Sequence, residues 1–197
     1  MEKLCIASTN EGKIRELKSL LGDVFALHPL GEWGILPEAE EPFESFLENA
    51  QAKAKHYADF TQMLTLSEDA GLCIRALNHF PGVHSKRFIA ESGGLSNAFD
   101  RLEEMLSAKG DCRAEFVCVS AIYDPRSGRS FTGKGIMGGE ILFPAKGTDG
   151  FGFDPIFVPD GYDRTIAELG ISVKTVIGHR GKSVRALLEN YCPRVLP

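Results

Sequence analysis

Long apolar runs are missing from this 197-residue chain. No stretch approaches the roughly 18 residues that a membrane-crossing helix needs. Leu4 to Ala7 is a short apolar run with polar residues directly after it, which does not fit a signal peptide, so the cytoplasm is the expected location. Cysteine is sparse: Cys5, Cys73, Cys112, Cys118 and Cys192. The count is odd and no two form a CxxC pair, which suits neither a disulfide framework nor a zinc site and points to a reducing compartment. Most lie in apolar runs, so all five are expected to be small buried hydrophobes. Positive charge is not in excess either. Against 27 acidic side chains stand 22 basic ones, a net charge of -5, which excludes a basic coat for nucleic acid but not a local pocket for one small anion. Repeats, low-complexity tracts, a linker between two compositions and the P-loop pattern GxxxxGK[ST] are all absent. At 43% hydrophobic and 25% charged, the chain has the balance of a globular protein, not of a disordered, collagen-like or coiled-coil one. Its length fits one domain, or two small lobes around a shared cleft.

Hydropathy patterning predicts a mixed α/β order. Lys3 to Ser8 reads as a buried first strand. Glu11 to Leu21 carries Ile14, Leu17, Leu20 and Leu21 at helical spacing, with Gly22 as cap. Val24 to Leu27 is a second strand. Phe43, Phe46, Leu47, Ala50, Ala54, Tyr57 and Ala58 share one face of a second helix. Met63 to Leu66 is a third strand, ending in the acidic pair Glu68 and Asp69, with Leu72 to Ile74 extended after Gly71. Asn78 to Gly94 reads as a loop and Leu95 to Leu106 as a helix. Ala114 to Tyr123 is almost continuously apolar, as a central strand requires, and a turn at 124–128 leads to a β-like stretch from Arg129 to Leu142. A last helix is expected over about Gly181 to Tyr191.

Five features carry possible chemistry. Ser8-Thr9-Asn10-Glu11-Gly12-Lys13 joins a strand to a helix N-terminus, where backbone N–H groups and the helix dipole favour an anion and Lys13 adds a charge. The alternative is an ordinary N-cap by Ser8 or Asn10. Glu38, Glu40, Glu41 and Glu44 suit a helix start; Mg²⁺ needs only one or two carboxylates besides substrate phosphates, so Glu40 or Glu41 can serve if another acid comes near. Glu68-Asp69-Ala70-Gly71 supplies that acid at a strand end, where α/β ligands collect, or is a surface turn. Adjacent residues of an extended segment point to opposite sides, so Glu68 and Asp69 are expected to face different surroundings. Phe151-Gly152-Phe153-Asp154 sets an aromatic ring and a carboxylate beside flexible backbone, fit to stack on a base and hydrogen-bond it; Phe151 and Phe153 as core anchors are the alternative. Lys174, His179 and Arg180 are three donors near the last helix, either a solvated basic end or a reader of purine carbonyl oxygens.

Taken in order, these segments resemble the noncanonical purine nucleoside triphosphate pyrophosphatases, the inosine triphosphatase-like enzymes. The likeness rests on residues 8–13 with Glu16, Phe46 to Ala50 with Lys53 and Ala54, Glu68 to Leu72, Pro81 to Ser85 with Arg87, Phe151 to Pro155, Ala167 to Leu169, and Lys174 with His179 and Arg180. The resemblance implies an α/β fold with two lobes around a long central mixed β-sheet and flanking helices, one domain over 1–197, and a homodimer. It implies Mg²⁺-dependent hydrolysis of ITP, dITP or XTP to the monophosphate and pyrophosphate, without nucleic-acid or membrane partners. By the same likeness Ser8, Thr9, Asn10, Glu11, Gly12 and Lys13 hold the triphosphate and Lys13 stabilises developing charge. Asp69 is the catalytic carboxylate and metal ligand, with Glu41 or Glu40 as second ligand. Ala70, Phe151, Gly152, Phe153, Asp154, Lys174, His179 and Arg180 contact the nucleotide.

The chain departs from the family pattern in two places. Glu68 stands where an aspartate is usual and Ala70 where a serine often follows. Val173, Thr175 and Gly178 replace an acid, an amide and a serine around Lys174. A related pyrophosphatase for another modified nucleotide is therefore the second reading, separated from the first by segment 173–178. A third, nucleotide binding without hydrolysis, is opposed by the presence of Asp69 and Lys13.

Overall fold

The computed structural model describes residues 1–34 and 36–191. Six strands form one sheet in the order β2-β1-β3-β4-β5-β6. They are β1 (Glu2–Ile6), β2 (Phe25–Pro29), β3 (Thr65–Ile74), β4 (Arg113–Asp124), β5 (Arg129–Ile141) and β6 (Phe157–Pro159). β1 pairs in parallel with β2 and with β3, whereas β5 and β6 are antiparallel, so the sheet is mixed. The α/β class expected from the sequence is present. The helices are α1 (Glu11–Leu21), α2 (Phe46–Thr61), α3 (Ser85–Glu91), α4 (Leu95–Leu106), α5 (Ile166–Leu169), α6 (Ile171–Ile177) and α7 (His179–Tyr191).

The chain divides into two compact units. The first comprises 1–69, 118–135 and the segment from Arg180 onward. Its core joins Leu4 and Ile6 of β1, Leu17 and Leu21 of α1, Leu66 of β3, Ile122 of β4, and Val184 and Leu187 of α7. α1 has the predicted bounds: Asn10 caps it, accepting from the Lys13 N–H at 3.1 Å, and Gly22 ends it. α2 starts later than its apolar pattern suggested. Ser45 caps it, accepting from the Glu48 N–H, so Phe43 lies ahead of the helix and Leu47 is exposed. Ala50 and Ala54 pack on Val119 and Ala121, small residues that let helix and sheet approach closely.

The second unit comprises 70–117 and 136–179. Its core gathers Leu72, Ile74, Phe88, Leu102, Phe116, Phe153, Ile156 and Phe157. α4 has the predicted bounds, but the expected loop 78–94 contains α3, and β6, α5 and α6 were not predicted. These elements are three to seven residues long, too short for their periodicity to stand out.

β3 is one continuous strand through Glu68 to Ile74, not a strand ending at an acidic turn. Gly71 makes that possible. A Cβ there would lie 2.0 Å from the Gly82 carbonyl oxygen and 2.7 Å from Ser85 Oγ, which accepts the Leu72 N–H and donates to Gly82 O. Gly71→Ala is expected to cost about 1–3 kcal/mol by overpacking, or roughly 2–12 °C in Tm for a chain of this size. Thermal melting followed by circular dichroism checks it; an unchanged Tm would show that the Gly82 turn yields freely.

Cys5, Cys73 and Cys118 are buried, but Cys112 is exposed, against expectation. Its carbonyl accepts the Ile141 N–H at 2.8 Å, so the backbone is held beside the sheet while the side chain stands outside. Cys192 lies outside the described residues. No helix among the described residues is long and apolar enough to cross a membrane.

Candidate active site

In the first unit, β1 ends at Ile6 and the chain runs through Ser8, Thr9 and Asn10 into α1. Asn10 caps the helix, whereas Ser8 Oγ accepts the Asn10 N–H at 3.2 Å and reaches no first-turn N–H, so the capping alternative holds for Asn10 and not for Ser8. Capping and anion binding are compatible, because the cap leaves other first-turn N–H groups facing outward. Thr9, Asn10 and Glu11 are exposed, and Gly12 and Lys13 half-buried. Ser8, Lys13, Lys53, Ser67 and Glu68 contribute to the lining of a small pocket. Burial lowers the Lys13 pKa, and the neighbouring Lys53 and Arg180 cations lower it further, against opposing pulls from Glu68 and Cys118. Lys13 adds a cation to the first turn of α1, and a cation at a helix N-terminus favours an anionic ligand.

Asp69 and Glu68 face different surroundings, as strand alternation predicts. Asp69 is buried, and Asn49 Nδ2 donates to its Oδ2 at 3.1 Å. Asn49 is itself fixed to Phe43, donating to its carbonyl at 2.9 Å and accepting its N–H at 3.0 Å. Burial raises the Asp69 pKa; Lys53, Asn49 and Lys13 pull it down, and Glu41 pushes it up. Glu41 is paired with Lys53, whereas Glu40 is exposed. Asn49 and Lys53 were quoted in the sequence motif without a role. Their i, i+4 spacing on α2 was the available signal, since it sets both on one helix face.

The donor set fits a hard divalent cation. Asp69 and Glu41 offer carboxylate oxygens close enough to influence each other, and a cation there would relieve the burial of Asp69. Among the described residues no three His, Cys, Asp or Glu side chains form a ready metal cage.

Glu68 belongs to a different buried cluster. Arg180 Nε donates to Glu68 Oε2 at 2.7 Å and Nη1 to Glu16 Oε2 at 2.5 Å. Ser120 Oγ donates to Glu68 Oε1 at 3.2 Å, and Ser183 Oγ bonds both the Ser120 hydroxyl and the Gly133 carbonyl. Burial alone would lower the Arg180 pKa, but Glu68 and Glu16 outweigh it and keep the guanidinium charged. Burial and Glu68 push the Cys118 thiol up to about 12, so it stays neutral and donates to Glu68. The longer Glu68, in place of the usual aspartate, is thus a structural partner of Arg180.

In the second unit, Phe151, Asp154 and Lys174 come together. Lys174 Nζ donates to Asp154 Oδ2 at 2.8 Å and lies 4.1 Å from the centre of the Phe151 ring. The Phe151 N–H donates to the same Asp154 oxygen at 2.8 Å. Lys174 and Asp154 are 3% and 2% exposed, so the pair is fixed within the protein. Phe151 and Gly152 are half-buried, and Phe153 is in the core against Phe99. Ala70 is half-buried. His179 is buried and stacks on Phe116 at 4.8 Å with planes 14° apart. The three expected donors therefore engage separate partners: Lys174 with Asp154, His179 with Phe116, and Arg180 with Glu16 and Glu68. Gly178 lets α6 turn directly into α7, since a Cβ there would lie 2.3 Å from the Lys174 carbonyl.

Comparison with known proteins finds relatives over nearly the whole chain. A dITP/XTP pyrophosphatase of Zymomonas mobilis is 38% identical over 190 residues, covering 94% of this chain and 90% of that one. Another, of Desulforamulus reducens, is 40% identical and covers 95% and 94%. Among solved structures, the Staphylococcus aureus Ham1 protein matches with a TM-score of 0.85 at 32% identity, covering 95% of this chain and 97% of that one. A HAM1 protein from Coxiella burnetii gives 0.85 at 35%, covering 94% and 95%. The family model of the Ham1 family matches residues 4–190, and this chain belongs to that family.

Proposed function

We propose that this protein hydrolyses deaminated purine nucleoside triphosphates (ITP, dITP and XTP) to the monophosphate and pyrophosphate. The reading is carried by the grouping of Lys13, Lys53, Asp69 and Glu41 beside a helix N-terminus, a charge pattern made for a polyanion accompanied by a divalent cation. Residues 8–13 cradle the triphosphate, with Lys13 neutralising charge that grows on the leaving pyrophosphate. Asp69 and Glu41 are the residues that would hold Mg²⁺, which neutralises phosphate charge when bound. The Asp69 carboxylate takes a proton from the water that attacks the α-phosphorus, as the bond from that phosphorus to the bridging oxygen breaks. Asn49 keeps that carboxylate in place.

The second unit supplies base recognition, through the exposed part of Phe151 with Gly152, the Asp154–Lys174 pair, His179 and the Ala70 backbone. Hypoxanthine and xanthine present a carbonyl oxygen at C6 where adenine presents an amine. Lys174 and His179 donate to the former, and facing a donor to an amine forfeits roughly 1–3 kcal/mol, or about 5- to 150-fold, per contact. Phe153 packs the core beneath that site, and Arg180 acts through Glu68. The protein works as a single two-lobed domain over 1–197, as a cytoplasmic homodimer.

The test is product analysis with Mg²⁺ and ITP, XTP, ATP, GTP and dUTP in parallel. Pyrophosphate and monophosphate from ITP and XTP, with little from ATP and GTP, is the expected outcome. Inorganic phosphate with a diphosphate would overturn the reaction assigned. Equal rates on all five would overturn the base preference and shift attention to Val173, Thr175 and Gly178.

A further inference from the structure

Lys53 lies against Glu41, one of the two carboxylates that would hold a metal ion. Its ammonium donates to Glu41, and its side chain is only 14% exposed. It projects from α2 four residues after Asn49, which bonds Asp69 at 3.1 Å. Of all side chains acting on the Asp69 carboxyl, Lys53 exerts the strongest pull. Glu41 lies in a stretch without regular secondary structure, whereas Lys53 is anchored in a helix. We propose that Lys53 is a placeholder cation: it pairs with Glu41 and offsets part of the negative charge of the Glu41 and Asp69 site in the free protein, keeps divalent metal affinity low there, and yields when metal arrives together with the triphosphate.

The inference rests on the reading that Glu41 and Asp69 are the metal ligands. Its physical basis is competition. Two carboxylates and one ammonium carry a net charge of −1, and a divalent ion entering beside the ammonium meets a like charge at close range. A triphosphate changes the balance by offering Lys53 new anionic partners and the metal new oxygen ligands. Metal and nucleotide therefore bind with strong mutual assistance, which by linkage holds in both directions.

The experiment is titration of the purified full-length protein with Mn²⁺ in the absence of nucleotide, with free Mn²⁺ read by electron paramagnetic resonance. Lys53→Met and Lys53→Gln are expected to bind one Mn²⁺ at least about tenfold more tightly than the wild type, since a nearby like charge is gone. Lys53→Arg, which keeps the charge, should bind as weakly as the wild type. Asp69→Asn added to Lys53→Met should abolish the gain. Thermal melts establish that each variant is folded, and Lys53→Gln retains a hydrogen bond to Glu41 should the methionine variant be unstable. Mn²⁺ affinity that is unchanged or lower in both uncharged variants overturns the placeholder role, because Lys53 would then merely position Glu41. A gain that survives Asp69→Asn overturns the metal-site reading itself. The reaction class is judged separately by its products.

Discussion

Asp69→Asn is expected to lower the rate of pyrophosphate release from ITP by roughly 10²–10⁴-fold, the range for removing a positioned general base, while raising stability. The two effects share one cause. Asp69 is 5% exposed, and burial raises its pKa despite the opposing pull of Lys53, Asn49 and Lys13. A carboxyl whose folded pKa is raised stabilises the fold fully only below its unfolded value. That contribution is lost as pH rises through the folded value, so ionising Asp69 is a cost to the fold. Asparagine removes the charge and keeps an oxygen that can accept from Asn49. In metal-free buffer at neutral pH the variant should therefore melt above the wild type, and the difference should shrink as the pH is lowered. Paired melting curves and ITP turnover check both halves. Retention of a tenth or more of the wild-type rate would remove Asp69 from the chemistry. A lower melting temperature would show that its neighbours, not burial, dominate its energetics.

Arg180→Met should produce the largest stability loss of any single substitution near the site. Arg180 and Glu16 are 2% and 4% exposed, and Glu68 is 3% exposed. Removing the guanidinium leaves two buried carboxylates without it, which costs about 3–5 kcal/mol, or roughly 6–20 °C in Tm. The loss belongs to the stranded charges more than to the absent bonds. Adding Glu16→Gln and Glu68→Gln should therefore return much of it, since neutral amides tolerate burial better than carboxylates. A single variant that melts within about 2 °C of the wild type, or a triple variant no better than the single, would refute this account. Nucleotide pyrophosphatase activity in the refolded triple variant would further separate scaffolding by Arg180 from direct substrate contact.

The contrast between these two residues shows how much of the site could be read along the chain. The loop at residues 8–13 was legible because a strand, a small polar loop and an amphipathic helix are all local patterns, and the structure adds only that Asn10 is the cap. Phe151 with Asp154, and Lys174 with His179 and Arg180, were legible as two sets of residue types, but not the hydrogen bond of Lys174 to Asp154 with its cation over the Phe151 ring. Glu41 and Glu40 were equivalent in the sequence. The position of Lys53, twelve residues on and one face of α2 away, separates them.

Periodicity and capping by themselves determined α1 and α4 to the residue, the core of α7 and the mixed α/β class, because each is written in apolar spacings of two to four residues. The tertiary structure alone decided that β3 runs unbroken past Glu68 and Asp69, since that depends on Gly82 and Ser85 packing against Gly71. It also decided which acid holds which base. Arg180 finds Glu68 and Glu16 across 112 and 164 residues of chain. Ion pairing in a buried setting is set by which charges the fold brings together away from water, and no local spacing encodes that.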